Sequence, residues 1–224
     1  MNENTLGQRL KMNKKDLCVG VDFDNTVVSY ANIMYQTASQ WKFIDPNTQK
    51  EKKIIRDQIR DLPDGEMKWQ KIQSFVYGKA MDQAELIEGV KVFFQACKDI
   101  DVPIFIVSHK TPYASMDQDN INLREAAMNW MGKNQFFEEK GLGLTPESIF
   151  FESTRQEKIQ RIEQLQCSHF IDDLEETFLE PSFPDNVQKI LLSSLGCHSD
   201  IKNLKIFSHW NDIKDYLLGA GIRQ

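Results

Sequence analysis

A doubly wound parallel α/β sheet carrying a small α-helical insertion is the fold class this sequence predicts, on three observations. Short apolar runs bounded by charge recur along the chain, helical patterns lie between most of them, and one long stretch without strand signal interrupts the alternation. Strands that alternate with helices favour a parallel sheet with helices on both faces, because each crossover returns the chain to the same end of the sheet.

The first run is LCVGV at 17–21. It is continuous rather than alternating, as a strand buried on both faces requires. Similar runs follow at 102–107 (VPIFIV), 148–151 (SIFF), 168–171 (SHFI), 187–192 (VQKILL) and 204–207 (LKIF). Between the first two, a helix is predicted over 87–100, where Val90, Phe93, Phe94 and Cys97 stand at i, i+3, i+4 and i+7. Further helices are predicted at about 120–132, 154–165 and 210–218.

The interruption lies between the first strand and Ile87. It holds helical patterns at about 29–42, 48–61 and 66–79, punctuated by Asp45-Pro46 and by Leu62-Pro63-Asp64-Gly65. Crossovers normally run far shorter than this. The expected division is therefore a core of 1–29 and 83–224 with a helical cap at 30–82. No internal repeat or low-complexity segment is present.

With 224 residues, 41% hydrophobic and 27% charged, the chain suits one ordinary domain, or one core with a modest insertion, and not global disorder. A net charge of −6 argues against gripping a nucleic-acid polymer, where phosphate contacts dominate affinity. A small phosphorylated substrate needs only a locally positive pocket. Of the cysteines, Cys18, Cys97, Cys167 and Cys197, none forms a C-x-x-C pair and three sit in apolar runs. They read as buried thiols in a reducing compartment. Cys197-His198 with Asp200 lacks the spacing and number of ligands of a closed metal site. The polar, basic N-terminus has no apolar stretch behind it, and the longest apolar run is too short to span a bilayer. A soluble, cytoplasmic protein without membrane contact is expected; the oligomeric state is left open.

Chemistry is expected where the strands end, since open α/β sheets bind ligands outside the carboxyl ends of their strands. The first run ends in VDFDNT, placing Asp22, Asp24 and Thr26 at spacings of two, so that Asp22 and Asp24 start on one side of an extended chain. The second ends in Ser108, followed by His109 and Lys110. Lys158 lies early in the helix before the next strand, and the fourth run ends in Asp172-Asp173. Each feature has an ordinary reading: a D-x-D forms turns, a serine caps a helix, a lysine sits on a solvated face, and paired acids start a helix. No G-x-x-x-x-G-K-[ST] or G-x-G-x-x-G is present, so P-loop and dinucleotide chemistry lack support.

The order D-x-D-x-T, S, K, DD, one group per successive element, resembles the four motifs of the haloacid dehalogenase-like hydrolase superfamily, from Leu17 to Asp173, with the cap between the first and second. The resemblance implies a phosphatase. Asp22 matches its nucleophile, Asp24 its general acid/base and, through the backbone carbonyl, a metal ligand. Ser108 and Lys158 match the groups that bind and neutralise the phosphoryl oxygens. Asp172 matches a direct Mg²⁺ ligand and Asp173 a residue holding a metal-bound water. Thr26, His109 and Lys110 are expected at the substrate, with Lys110 the rival of Lys158. Asn25 stands where many members have Gly, which Asn tolerates because it accepts left-handed backbone. The DFDNT-V-x-S-Y, FIVSHKT and HFIDDLEE segments are also similar to uncharacterised members linked to bacterial surface-polysaccharide gene clusters, which suggests a sugar-phosphate or nucleotide-linked substrate.

Elementary electrostatics is consistent with this. Carboxylates gathered within about 4 Å repel by roughly 4 kcal/mol per pair at an effective dielectric of about 20, so cations must sit among them. An oxygen-only ligand set selects Mg²⁺ over zinc or copper. The competing readings are a phosphomutase of the same superfamily, a metal-free dehalogenase, for which Asp24 and the Asp172-Asp173 pair would be superfluous, and a catalytically silent binding or scaffold protein on this fold.

Overall fold

The computed structural model describes residues 17–116, 119–193 and 199–219. Cys197 and His198, and the N-terminal segment read above for targeting, lie outside the described residues. The strands are β1 (Val19–Val21), β2 (Val28–Ser29), β3 (Glu85–Leu86), β4 (Ile104–His109), β5 (Ile149–Glu152), β6 (His169–Asp172), β7 (Gln188–Leu192) and β8 (Leu204–Phe207). The helices are α1 (Ala31–Gln40), α2 (Lys52–Arg60), α3 (Gly65–Tyr77), α4 (Val90–Lys98), α5 (Leu123–Lys133), α6 (Arg155–Gln164), α7 (Glu175–Leu179) and α8 (Trp210–Leu218).

Six strands form one parallel sheet in the order β5-β4-β1-β6-β7-β8. Strand direction and the two-residue side-chain period sort the apolar runs onto two faces. Val19, Val21, Ile104, Ile106, Ile171 and Ile190 pack with α4, α5 and α8. Val107, Phe170 and Leu191 pack with α6 and α7 on the other side. This is the doubly wound α/β sheet expected from the sequence. Gly20 allows the second layer to close: a Cβ there would stand 2.6 Å from the Phe170 ring.

Order switches at β1, which has β4 on one side and β6 on the other. Crossovers leave in opposite directions from such a point, and the crevice opens at the strand ends. β1 runs straight into Asp22, whose N–H still pairs with the Ile171 carbonyl at 2.8 Å.

Helices α1, α2 and α3 lie between β2 and β3, and their buried residues, among them Met34, Ile55, Ile59, Trp69 and Ile72, join the cluster that lines one sheet face. β2 and β3 pair antiparallel, Val28 with Leu86 and Ser29 with Glu85, where the chain leaves for the helices and returns. The sequence reading has no counterpart for this ribbon or for α7. Two-residue strands and a five-residue helix are too short for a periodic signal. The helix expected from Ile87 begins at Val90, after Gly89 at φ 88, a left-handed conformation that favours glycine. No helix among the described residues is long and apolar enough to cross a membrane.

Candidate active site

The residues singled out at the strand ends converge. Asp22 follows β1 directly and is buried. Its Oδ1 accepts from Ser108 Oγ at 2.9 Å and from Lys158 Nζ at 2.6 Å, which leaves Oδ2 without a hydrogen bond from the described residues. Ser108 is carried by β4, the neighbour of β1, so its hydroxyl is set by sheet register. Lys158 is set by helix capping: Thr154 and Glu157 form a capping box that fixes the start of α6, and Lys158 lies in its first turn. The same ammonium donates to Asp172 Oδ2 at 2.7 Å, and Asp172, the last residue of β6, also accepts from the Leu174 N–H at 2.9 Å. Asp172-Asp173 is thus both a strand end and the lead into α7.

Asp24 is held by other partners. Its carboxylate accepts from the Tyr30 hydroxyl at 2.5 Å and from Lys110 Nζ at 3.0 Å on Oδ1 and 2.9 Å on Oδ2. Lys110 is buried and lies over the Tyr77 ring at 5.2 Å and the Phe23 ring at 5.7 Å. Asn25 then turns the chain at φ 61, a left-handed conformation that Asn tolerates. The two rival lysines therefore divide the acids, Lys158 with Asp22 and Asp172, Lys110 with Asp24.

Ligand atoms of Asp22, Asp172 and Asp173 lie within 4.8 Å of one another. Asp24 is not in this group through its side chain. Thr26 is fully buried and its hydroxyl donates to Asp173 Oδ1 at 3.4 Å, so it supports an acid rather than facing the cleft expected to take a substrate. Burial pushes Asp22 up to about 6 against the pull of Lys158, and pushes Asp173 up to about 8 although Lys52 opposes it. The Lys158 ammonium is lowered by burial but held above its usual range by Asp172 and Asp22. Three acids around one buried ammonium leave excess negative charge, and an oxygen-only set of this kind fits a hard divalent cation.

Two groups were not legible in the sequence. Lys52, first residue of α2, turns its ammonium toward these acids; burial lowers its pKa, but Tyr77, Asp173, Asp24 and Asp22 raise it further. Tyr30 is buried, and burial together with Asp24 holds its hydroxyl well above the usual range. Lys52 sits in a polar run with no signal, and Tyr30 enters only as the last residue of the DFDNT-V-x-S-Y segment, with no role read for it. A cleft of about 260 Å³ opens beside Asp24, lined by Lys110, His109 and, from α3, Gln70, Gln73 and Tyr77. His109 borders it while its Nε2 meets the Ser153 carbonyl at 3.0 Å.

No protein-family model matches the chain, and no curated protein matches it in sequence. Solved structures match in fold. A haloacid dehalogenase-like family hydrolase from Streptococcus pneumoniae superposes with a TM-score of 0.54 at 14% identity, covering 90% of this chain and 99% of that one. A subfamily IA hydrolase from Geobacter sulfurreducens gives 0.54 at 11%, covering 90% and 97%. A family hydrolase from Deinococcus radiodurans, with bound phosphate and sodium, gives 0.53 at 14%, covering 91% and 96%. At these identities the likeness shows the fold, that of haloacid dehalogenase-like hydrolases, here with an aspartate cluster at the sheet's carboxyl end.

Proposed function

We propose that this protein is a Mg²⁺-dependent phosphomonoester hydrolase that acts on a small phosphorylated metabolite, a sugar phosphate or a nucleotide, through an aspartyl-phosphate intermediate. One observation carries the reading: Asp22 stands at the switch point with Oδ1 gripped by Ser108 and Lys158 and Oδ2 without a hydrogen bond from the described residues. The phosphate and sodium bound by the Deinococcus radiodurans protein add support for a phosphate-handling site on this fold.

In this reading Asp22 Oδ2 attacks phosphorus, and the bond to the ester oxygen breaks. Asp24 delivers a proton to the departing oxygen, then takes one from the water that hydrolyses the acyl phosphate, so that alcohol and phosphate leave and Asp22 is restored. Ser108 donates a hydrogen bond to the phosphoryl group, and Lys158 neutralises charge as one anion approaches another. Tyr30 and Lys110 hold Asp24 in place. Asp22, Asp172 and Asp173, with the Asp24 carbonyl, would hold the divalent cation, which when bound supplies further charge neutralisation for the phosphoryl oxygens. The helices between β2 and β3 act as a cap that excludes water and reads the leaving group.

The test is phosphate release from sugar phosphates, nucleoside monophosphates and an aryl phosphate, with Mg²⁺ and with EDTA. Release that needs the metal and disappears in Asp22→Asn is expected. Turnover retained by Asp22→Asn would remove the nucleophile from the scheme, and no release from any compound by folded, metal-loaded protein would remove the phosphatase.

A further inference from the structure

A second hollow adjoins the cleft at Asp24. It measures about 530 Å³ and is bounded by α3, the segment after α1 and the chain following β4. Ser74 lines both hollows, so they meet along α3. Its side chain is buried, 6% exposed, and its hydroxyl has no hydrogen-bond partner among the described residues. A buried hydroxyl left this way costs free energy that a bound polar group would recover.

The far wall is aromatic and cationic together. Trp41, Phe43 and Phe75 line it, with the Trp41 ring centroid 5.4 Å from that of Phe75 and 5.8 Å from that of Phe43. Lys71 Nζ lies 5.2 Å over the Trp41 ring, and no ion pair joins it to an acid among the described residues. Lys68 Nζ lies over Phe43 at 5.8 Å. Lys79, by contrast, pairs with Asp119 at 3.4 Å. Ring faces beside an ammonium suit a flat ligand ring that bears hydrogen-bond acceptors, since an ammonium only donates. A hexose can set only a C–H face on such a wall, whereas a base offers a π-face to the rings and an oxo group to the ammonium at once.

Distance along α3 suits the same ligand. Lys71 precedes Tyr77 by six residues, about 9 Å along the axis, and Tyr77 borders the cleft of Asp24. That is roughly the reach of a nucleoside from its phosphate to the far edge of its base. We propose that this hollow receives the base of a nucleoside monophosphate, with the base against Trp41 and Phe75, an oxo group of the base on Lys71, and the sugar beside Ser74. Oxo bases such as uracil are then favoured over adenine. The proposal rests on the phosphatase reading for its placement of the phosphate, but not for the base site itself.

Fluorescence gives a readout separate from turnover. Trp69, Trp130 and Trp210 are buried, whereas Trp41 is partly exposed in the hollow. Full-length protein is titrated with uridine, uridine 5′-monophosphate, adenosine 5′-monophosphate and glucose 6-phosphate, following tryptophan emission and heat of binding. Uridine and its monophosphate are expected to quench emission and to bind at least tenfold tighter than glucose 6-phosphate. Trp41→Phe is expected to remove the quench, and Lys71→Gln, at an exposed position, to weaken uridine binding about tenfold. Quenching and binding without phosphate release would keep the base site and discard the phosphatase. Metal-dependent release from sugar phosphates with no nucleoside binding, or nucleoside binding indifferent to Lys71→Gln, would discard the base site and keep the phosphatase.

Discussion

The Nζ of Lys158 stands 2.6 Å from Oδ1 of Asp22, with both side chains buried. The same nitrogen is 2.7 Å from Asp172, so one ammonium ties β1, α6 and β6 together at the bottom of the crevice. Desolvating a lysine is unfavourable, and here two carboxylates outweigh that cost.

Removing this cation leaves buried acids facing one another. Lys158→Met is expected to lower the stability of metal-free protein by roughly 3–5 kcal/mol, the usual cost of breaking a buried pair, and to reduce turnover by at least about a hundredfold. Part of the stability should return with Mg²⁺. Urea melts with and without the metal check this; an unchanged midpoint in EDTA would show that the pair does not support the fold.

Metal affinity is expected to rise with pH. Asp22 is pushed up to about 6 and Asp173 to about 8, so each is increasingly protonated as pH falls below its value, and protons compete with the cation. Calorimetry in buffers of differing ionisation enthalpy should record protons released on Mg²⁺ binding at pH 7 and fewer at pH 9. Affinity that is flat from pH 6 to 9 would contradict it.

Stability should fall in mild acid for a separate reason. Burial drives the His169 imidazole down to about 4, with Nδ1 at 2.9 Å from the Ser168 hydroxyl. The unfolded chain protonates this histidine near 6.5, the folded one near 4, so the unfolded state binds more protons in between. The contribution is intact above about 6.5 and is lost as pH drops toward 4, by roughly 3 kcal/mol over the window. Melting temperatures across that range should show a steeper acid slope in the native chain than in His169→Gln; equal slopes would place the acid sensitivity elsewhere.

Tyr30 should matter to turnover without touching the phosphorus. Its hydroxyl grips Asp24 at 2.5 Å while Lys110 holds both oxygens. Tyr30→Phe keeps the buried ring and is expected to lower kcat about tenfold with little change in KM, most for substrates with poorly acidic leaving groups, because the acid loses one of its positioning bonds. A series of aryl phosphates of graded leaving-group acidity tests this, and an equal loss along the series would refute it.

Strand and helix order was legible because each element writes its own period into a local stretch: LCVGV and VPIFIV as continuous apolar runs, and Val90, Phe93, Phe94 and Cys97 as a helical face. The spatial order of the strands, with its switch point at β1, came only with the structure, and it places Asp22, Ser108, Lys158 and Asp172 at one end of the sheet. The β2–β3 ribbon was hidden because two residues make no period.

Pairing among the charges was another matter. Asp24 and Lys110 are 86 residues apart and Asp22 and Lys158 are 136 apart, and nothing in the local chain says which ammonium meets which carboxylate. Thr26 reads in sequence as one more polar group of the first motif, yet it turns inward to Asp173. Lys52 and Ser74 read as ordinary polar positions in the cap helices, and only the packing of α2 and α3 brings them to the acids and the cleft. Hydrophobic periodicity is a property of neighbours along the backbone and survives in one dimension. Electrostatic neutralisation and the shape of a cleft depend on distances through space, which exist only once the helices are docked on the sheet.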